Sequence, residues 1–131
     1  MAGSKTDAFE QRILNLVFKG TGTSLTALAN NWIALFTVVP SDSSNGTEVS
    51  GLGYIRKQTA PSDWTLSGSQ ITNATEQAFN AATGPYSIVG WGIFDAASGG
   101  NLLYWGDTTL TNLVTGDIAR FAPLSITINE D

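Results

Sequence analysis

The chain's oxygen-rich chemistry rests on three aspartates, Asp95, Asp107 and Asp117, and a loop trio, Asp42, Asn45 and Glu48. Two carboxylates facing each other across a cleft can hydrolyse a glycosidic bond. Each of these aspartates, however, stands where Asp favours a turn, so turn closure is the plainer role. The loop trio offers oxygen ligands for calcium, but its spacing is not that of an EF-hand loop. A solvated loop is the better reading. Lys19-Gly20-Thr21-Gly22-Thr23-Ser24 superficially resembles a phosphate loop. It lacks the full spacing and follows a helical pattern rather than a strand. There is no Cys and no His. That removes cysteine nucleophiles, Cys/His zinc sites and imidazole acid–base chemistry. What remains is the profile of a binding or structural module, with no enzyme activity, metal or cofactor expected.

Four tryptophans, Trp32, Trp64, Trp91 and Trp105, could form sugar platforms. Trp32, Trp91 and Trp105 lie in apolar strand patterns, which favours core packing. Trp64, beside Pro61 and Asp63, is the one expected at the surface and is a candidate interface residue. Lys plus Arg is 6 and Asp plus Glu is 11, a net charge of −5. The cations are scattered from Lys5 to Arg120, so electrostatic capture of nucleic acid or of anionic lipid is not expected. No signal peptide is evident, and no apolar run is long enough for a transmembrane helix.

The elements that must position these residues are mostly strands. Asp7 to Lys19 forms one amphipathic helix, capped by Thr6 or Asp7 and stopped at Gly20. Its apolar residues Phe9, Ile13, Leu16 and Val17 either cover the chain's own core or dock on a neighbour. Thr21 to Asn31 is polar and loop-like. Trp32 to Val39 is apolar at nearly every position, as in a central strand buried on both faces. Ser41 to Gly53 is a long connection. Tyr54–Thr59 reads as a strand, with short ones at Trp64–Leu66 and Gln70–Asn73. Glu76 to Thr83 is either a helical turn or an irregular strand carrying Phe79 inward. Val89 to Asp107 is a hairpin reversing at Asp95–Gly100. Gly90 and Gly92 within it suggest a bulge, or a large side chain over bare backbone. Thr115-Gly116-Asp117 turns into Ile118–Phe121, and Leu124–Asn129 alternates cleanly. The 131 residues therefore predict one domain. Residues 1–20 form a helical arm, and residues 31–131 form a mainly β, sandwich- or jelly-roll-like fold of seven or eight short strands.

The run from Trp32 to Pro40, followed by Gly46-Thr-Glu-Val-Ser-Gly-Leu-Gly-Tyr54 and Arg56, resembles a family of small bacteriophage virion proteins. Gly92 to Leu103 and the step Gly116-Asp117 to Arg120-Phe121 strengthen the resemblance, while Ala60 to Thr83 departs from it. The resemblance implies a capsid decoration (cement) protein, made in the host cytoplasm and bound to the outer surface of the head. Its partner would be the major capsid protein, and it would often act as a homotrimer. Such a protein stabilises a shell by binding the assembled form only. The alternative is a tail-fibre or tail-tip component with a receptor or glycan site around Trp64 and the 41–53 loop. Neither reading needs nucleic acid or a membrane. Under both, the candidate contacts are Phe9, Ile13, Leu16 and Val17 on the helix, Trp64, and the hairpin tip at Ala96, Ser98 and Gly99.

Overall fold

The computed structural model describes residues 2–21 and 27–130. Part of the 21–31 loop, and with it Gly22 to Ser24 of the glycine-threonine run, lies outside the described residues. The chain opens with β1 (Ala2–Lys5) and α1 (Asp7–Leu14), which runs into a π-helical turn over Asn15–Lys19. Then come β2 (Asn31–Val38), β3 (Thr47–Glu48) and β4 (Lys57–Thr59). A 3-10 turn at Pro61–Asp63 leads to β5 (Trp64–Ser67), β6 (Gln70–Asn73) and β7 (Gln77–Ala78). The hairpin pair β8 (Tyr86–Phe94) and β9 (Leu102–Leu113) follows, with β10 (Arg120–Phe121) and β11 (Thr127–Asn129) last.

The expected helix is present over Asp7 to Lys19, and Gly20 ends it in the left-handed region at φ 58°. A residue there without a Cβ avoids the clash that other side chains meet. Thr6 is the cap. Its hydroxyl accepts from Phe9 N at 3.3 Å and donates to Leu102 O at 2.8 Å, so it ties the helix start to β9. Thr6 is buried, and Thr6→Ala leaves the Leu102 carbonyl and the Phe9 amide without this partner. We expect Thr6→Ala to cost about 1–2 kcal/mol in urea unfolding. A change below a few tenths would mean water replaces the hydroxyl at both groups.

One continuous path of strands runs β3-β2-β8-β9-β1-β11-β6-β5, with β4 beside β2. The seam is β1. Ser4 and Lys5 pair antiparallel with Trp105 and Tyr104, whereas Ala2 and Gly3 pair parallel with Thr127 and Ile128. One short strand thus joins two layers. The sequence gives no sign of it, because Ala-Gly-Ser-Lys has no strand pattern and only the tertiary ladder makes it extended. From the first layer Ile33, Leu35, Trp91 and Ile93 point inward, and from the second Ile126 and Ile128 meet them. The β7–β10 ribbon closes the core with Phe79 and Phe121, whose rings lie edge to face 6.2 Å apart. The fold is mainly β and sandwich-like.

As expected, β2 is buried on both faces, although only from Ile33 to Phe36; Thr37 and Val38 are exposed. Its other face holds a smaller cluster of Ala34, Phe36, Phe94 and Leu102. Each large side chain fully buried here contributes about 1.5–3 kcal/mol. Both expectations for the hairpin glycines hold. The β8–β9 ladder shifts register between Ile88 and Gly90, and a Cβ on Gly92 would lie 2.9 Å from the Phe36 ring. The expected strand from Tyr54 to Thr59 is shorter, starting at Lys57, because Tyr54 and Arg56 turn away to other partners. The ambiguous 76–83 stretch is extended, with Phe79 buried.

Candidate partner-binding surface

β2 meets two separate strands on its outer edge. β4 covers Asn31 to Ile33 and β3 covers Phe36 to Val38. The loop between them leaves the edge, so Leu35 N–H would lack a cross-strand partner. The Tyr54 hydroxyl takes its place, accepting from Leu35 N at 3.1 Å and donating to Glu48 Oε1 at 2.7 Å. Arg56 completes the arrangement. Nε and Nη2 donate to the two Glu48 oxygens, each at 2.8 Å, while Nη1 donates to Ala96 O and Gly99 O, both at 2.8 Å. The guanidinium also stacks on Phe94, 3.5 Å from its centroid. Only 7% of the Arg56 side chain is exposed. One cation therefore locks the 47–56 loop onto the hairpin tip.

The tip is further set by Asp95, whose carboxylate accepts from Asn101 N at 2.7 Å and Asn101 Nδ2 at 2.8 Å. This is the turn-closing role expected of Asp95. Asp117 has the same kind of role, accepting from Val114 N at 2.9 Å. The loop trio is split among other partners: Asp42 accepts from Trp105 Nε1 at 3.1 Å, and Glu48 belongs to Arg56 and Tyr54.

Burial tends to raise the Glu48 carboxyl, but bonds from Arg56 and Tyr54 outweigh it and hold Glu48 below its ordinary value. Asp95 and Glu130 are likewise lowered: burial opposes, while Asn101 in one case and Lys5 and Tyr104 in the other prevail. The Tyr54 hydroxyl is pushed well up by burial and by its bond to Glu48. A carboxylate lowered in the folded state contributes stability that is present above its unfolded value, about 4.3 for Glu. That stability is lost as pH falls through the lowered folded value. We therefore expect the urea midpoint to be flat from neutral pH to about 5 and to fall below about 4. Glu48→Gln should flatten that fall. An unchanged slope would remove Glu48 as a contributor.

The sequence-predicted contacts separate into two kinds. Phe9 packs edge-on to Tyr104 at 5.5 Å, and Ile13 is half-buried. Arg12 lies 5.9 Å over the Phe9 ring and 3.8 Å from Asp95, which ties the helix to the hairpin. Leu16 and Val17 are exposed, as are Leu14 and Phe18, the last at 76%. The helix thus uses its first turns on its own sheet and presents apolar side chains from its end. Ser98 and Gly99 are exposed at the tip, and Ala96 is half-buried. Trp64 departs from expectation. It is half-buried against the core, and its Nε1 donates to Thr59 Oγ1 at 3.0 Å. Pro61 and Asp63 form a short 3-10 turn before it, and the ring after that turn packs partly against the core. Trp91 is fully buried, while Trp32 and Trp105 are half-buried.

Sequence reasoning missed Arg56 as the organiser. The available signal was an arginine eight residues after Glu48, the two being the charged residues of the run from Gly46 to Arg56. It also missed a cleft of about 720 Å³ between β9 and the 117–125 segment. No element predicted from sequence marks a gap between two strands.

The search of curated proteins returns no match. A family model described as "Podophage GP4 fiber I protein gp80" matches residues 4–129. That match spans both layers, the Arg56 lock and the hairpin, and the chain belongs to this family of phage virion structural proteins.

Proposed function

We propose that this chain is a fibre component of a podophage virion, a rigid β-module that links or presents other parts of the tail fibre. The observation that carries this is the fibre family's match across residues 4–129. It supports the tail-fibre alternative over decoration of the head shell. The geometry agrees with a passive, assembled part. Glu48, Asp95 and Asp117 are each engaged in holding loops. Exposed apolar side chains at Leu14, Val17 and Phe18 suit lasting contacts rather than a dissolved monomer. On this reading the partners are other fibre or tail subunits, and the major capsid protein is not one of them. A receptor or glycan role belongs to the same proposal, with the tip at Ser98 and Gly99 as the surface offered.

The test is copy number and position in purified virions. Gel densitometry should give a band far below a tenth of the major capsid band, and gold-labelled antibody should decorate the tail. A band equal to the capsid band, or a simple fraction of it, with label over the head, would restore the cement reading.

A further inference from the structure

The second half of β9 is paired on one side only. Beyond Trp105, where β1 ends its contact, Asp107 to Leu113 meets β8 and no other strand among the described residues. Between Gly90 and Ile88 the partner strand takes two steps, while β9 takes four between Asp107 and Thr111. The extra residues form a bulge, which bends a strand locally and raises its twist. After the turn at Val114–Asp117 the chain comes back alongside β9, but it does not pair with it. It bonds instead to the far side: Ala82 N donates to Asp117 O at 2.8 Å, Phe79 N to Ala119 O at 3.0 Å, and Arg120 and Phe121 pair with Ala78 and Gln77. Two strands therefore diverge from one turn, each paired on its outer flank and open toward the other. The cleft between them is the 720 Å³ one.

We propose that this slot takes an extended, uncharged segment of another virion polypeptide as an added β-strand. Facing strand edges are templates for backbone pairing, and a strand entering here closes both. The charge of the lining selects the occupant. Asp117 accepts from Val114 N, and Arg120 is paired with Glu76 at 2.8 Å, so the lining keeps one carboxylate charge and no unpaired cation, which disfavours an acidic segment. The remaining wall is neutral and mixed, with Thr108, Thr111 and Asn112 on one side and Ile118, Phe121 and Leu124 on the other. Ile118 and Leu124 are exposed at 40% and 67%, and Leu124 is held at φ 64°, a strained angle for a leucine. An alternating segment with Thr, Ser or Val on the inward face fits both walls. One carbonyl of the edge, Thr109 O, already accepts from the Thr111 hydroxyl at 3.0 Å, so the occupant engages the rest. The proposal rests on the virion reading for its partner but not on the fibre position.

Hydrogen exchange, read by peptic fragments, should be compared between the isolated protein and purified virions. Fragments covering both 109–113 and 118–121 should exchange at least about tenfold more slowly in virions. Proline placed singly at Thr109 and at Leu110 removes an N–H where β9 has no β8 partner. At least one variant should keep its circular dichroism and melting temperature yet fail to enter virions, while Thr109→Ser enters normally. Protection confined to other surfaces, such as Leu14 to Phe18, would overturn the proposal, as would folded proline variants that assemble fully. Slot protection in a high-copy head protein would sink the fibre reading alone. Absence of the chain from virions would sink both.

Discussion

Arg56→Ala will lower the unfolding free energy by about 3 kcal/mol, the scale for breaking a buried ion pair from one side. The replacement removes both bonds to Glu48, both bonds to the tip carbonyls and the stack on Phe94. Among the described residues Glu48 then keeps the Tyr54 hydroxyl as its hydrogen-bond partner, in a site where burial already disfavours its charge. Arg56→Lys restores a cation but not the planar fork, so it should recover less than half of the loss. The control is Arg120→Ala, whose pair with Glu76 is about half exposed on each side and should be worth about 0.5 kcal/mol. Because Glu48 protonates at low pH, the difference between wild type and Arg56→Ala should shrink as pH falls below about 4. Limited proteolysis should show new cleavage at the tip, between Ala97 and Gly100. Equal costs for Arg56→Ala and Arg120→Ala would mean that the lock does not hold the loop to the hairpin.

The parts legible in the sequence are those whose signals are local. Thr6 and Gly20 bracket the helix by capping chemistry, and the alternation through Trp91 and Ile93 gives the hairpin. Turn aspartates 95 and 117 were also readable, since Asp closes turns by bonding nearby amides. What was not legible depends on distant partners. β1 is a strand only because Trp105 and Thr127 lie on either side of it. Trp64 was misplaced because flanking polar residues say nothing about which way a 3-10 turn aims a ring. The helix face was half right: Phe9 and Ile13 follow the pattern inward, but the π-helical turn at Asn15 changes the phase, and Leu16 and Val17 end exposed. The Arg56 lock reaches carbonyls 40 and 43 positions away, and no spacing rule links Arg56 to Ala96.

Gly106→Ala should cost about 2–3 kcal/mol, toward the upper end for overpacking, although Gly106 needs no unusual backbone angle. The cause is contact. A Cβ there would lie 2.5 Å from Trp91 Cζ2 and 2.7 Å from Nε1. Trp91 cannot retreat. It is fully buried in the main core with Ile33, Leu35 and Ile126, and an indole has no flexible end to give way. Trp91 and Gly106 are direct cross-strand partners in the β8–β9 ladder, so backbone pairing fixes their separation. The indole Nε1 is buried with no hydrogen-bond partner among the described residues, which already counts against Trp91. Trp91→Phe therefore gives up the second ring and also removes an unmet donor, and should cost less than Trp91→Ala, about 4 kcal/mol. The two sites are in contact, so their effects should not add. In the double variant the new methyl occupies space the larger ring has left. Gly106→Ala in the Trp91→Phe background should then be close to neutral, a coupling of about 2 kcal/mol. Urea unfolding of the four proteins measures it directly. Additive costs would mean that the strain of the methyl is relieved by backbone movement, and that the glycine is kept for the register of the ladder rather than for the tryptophan.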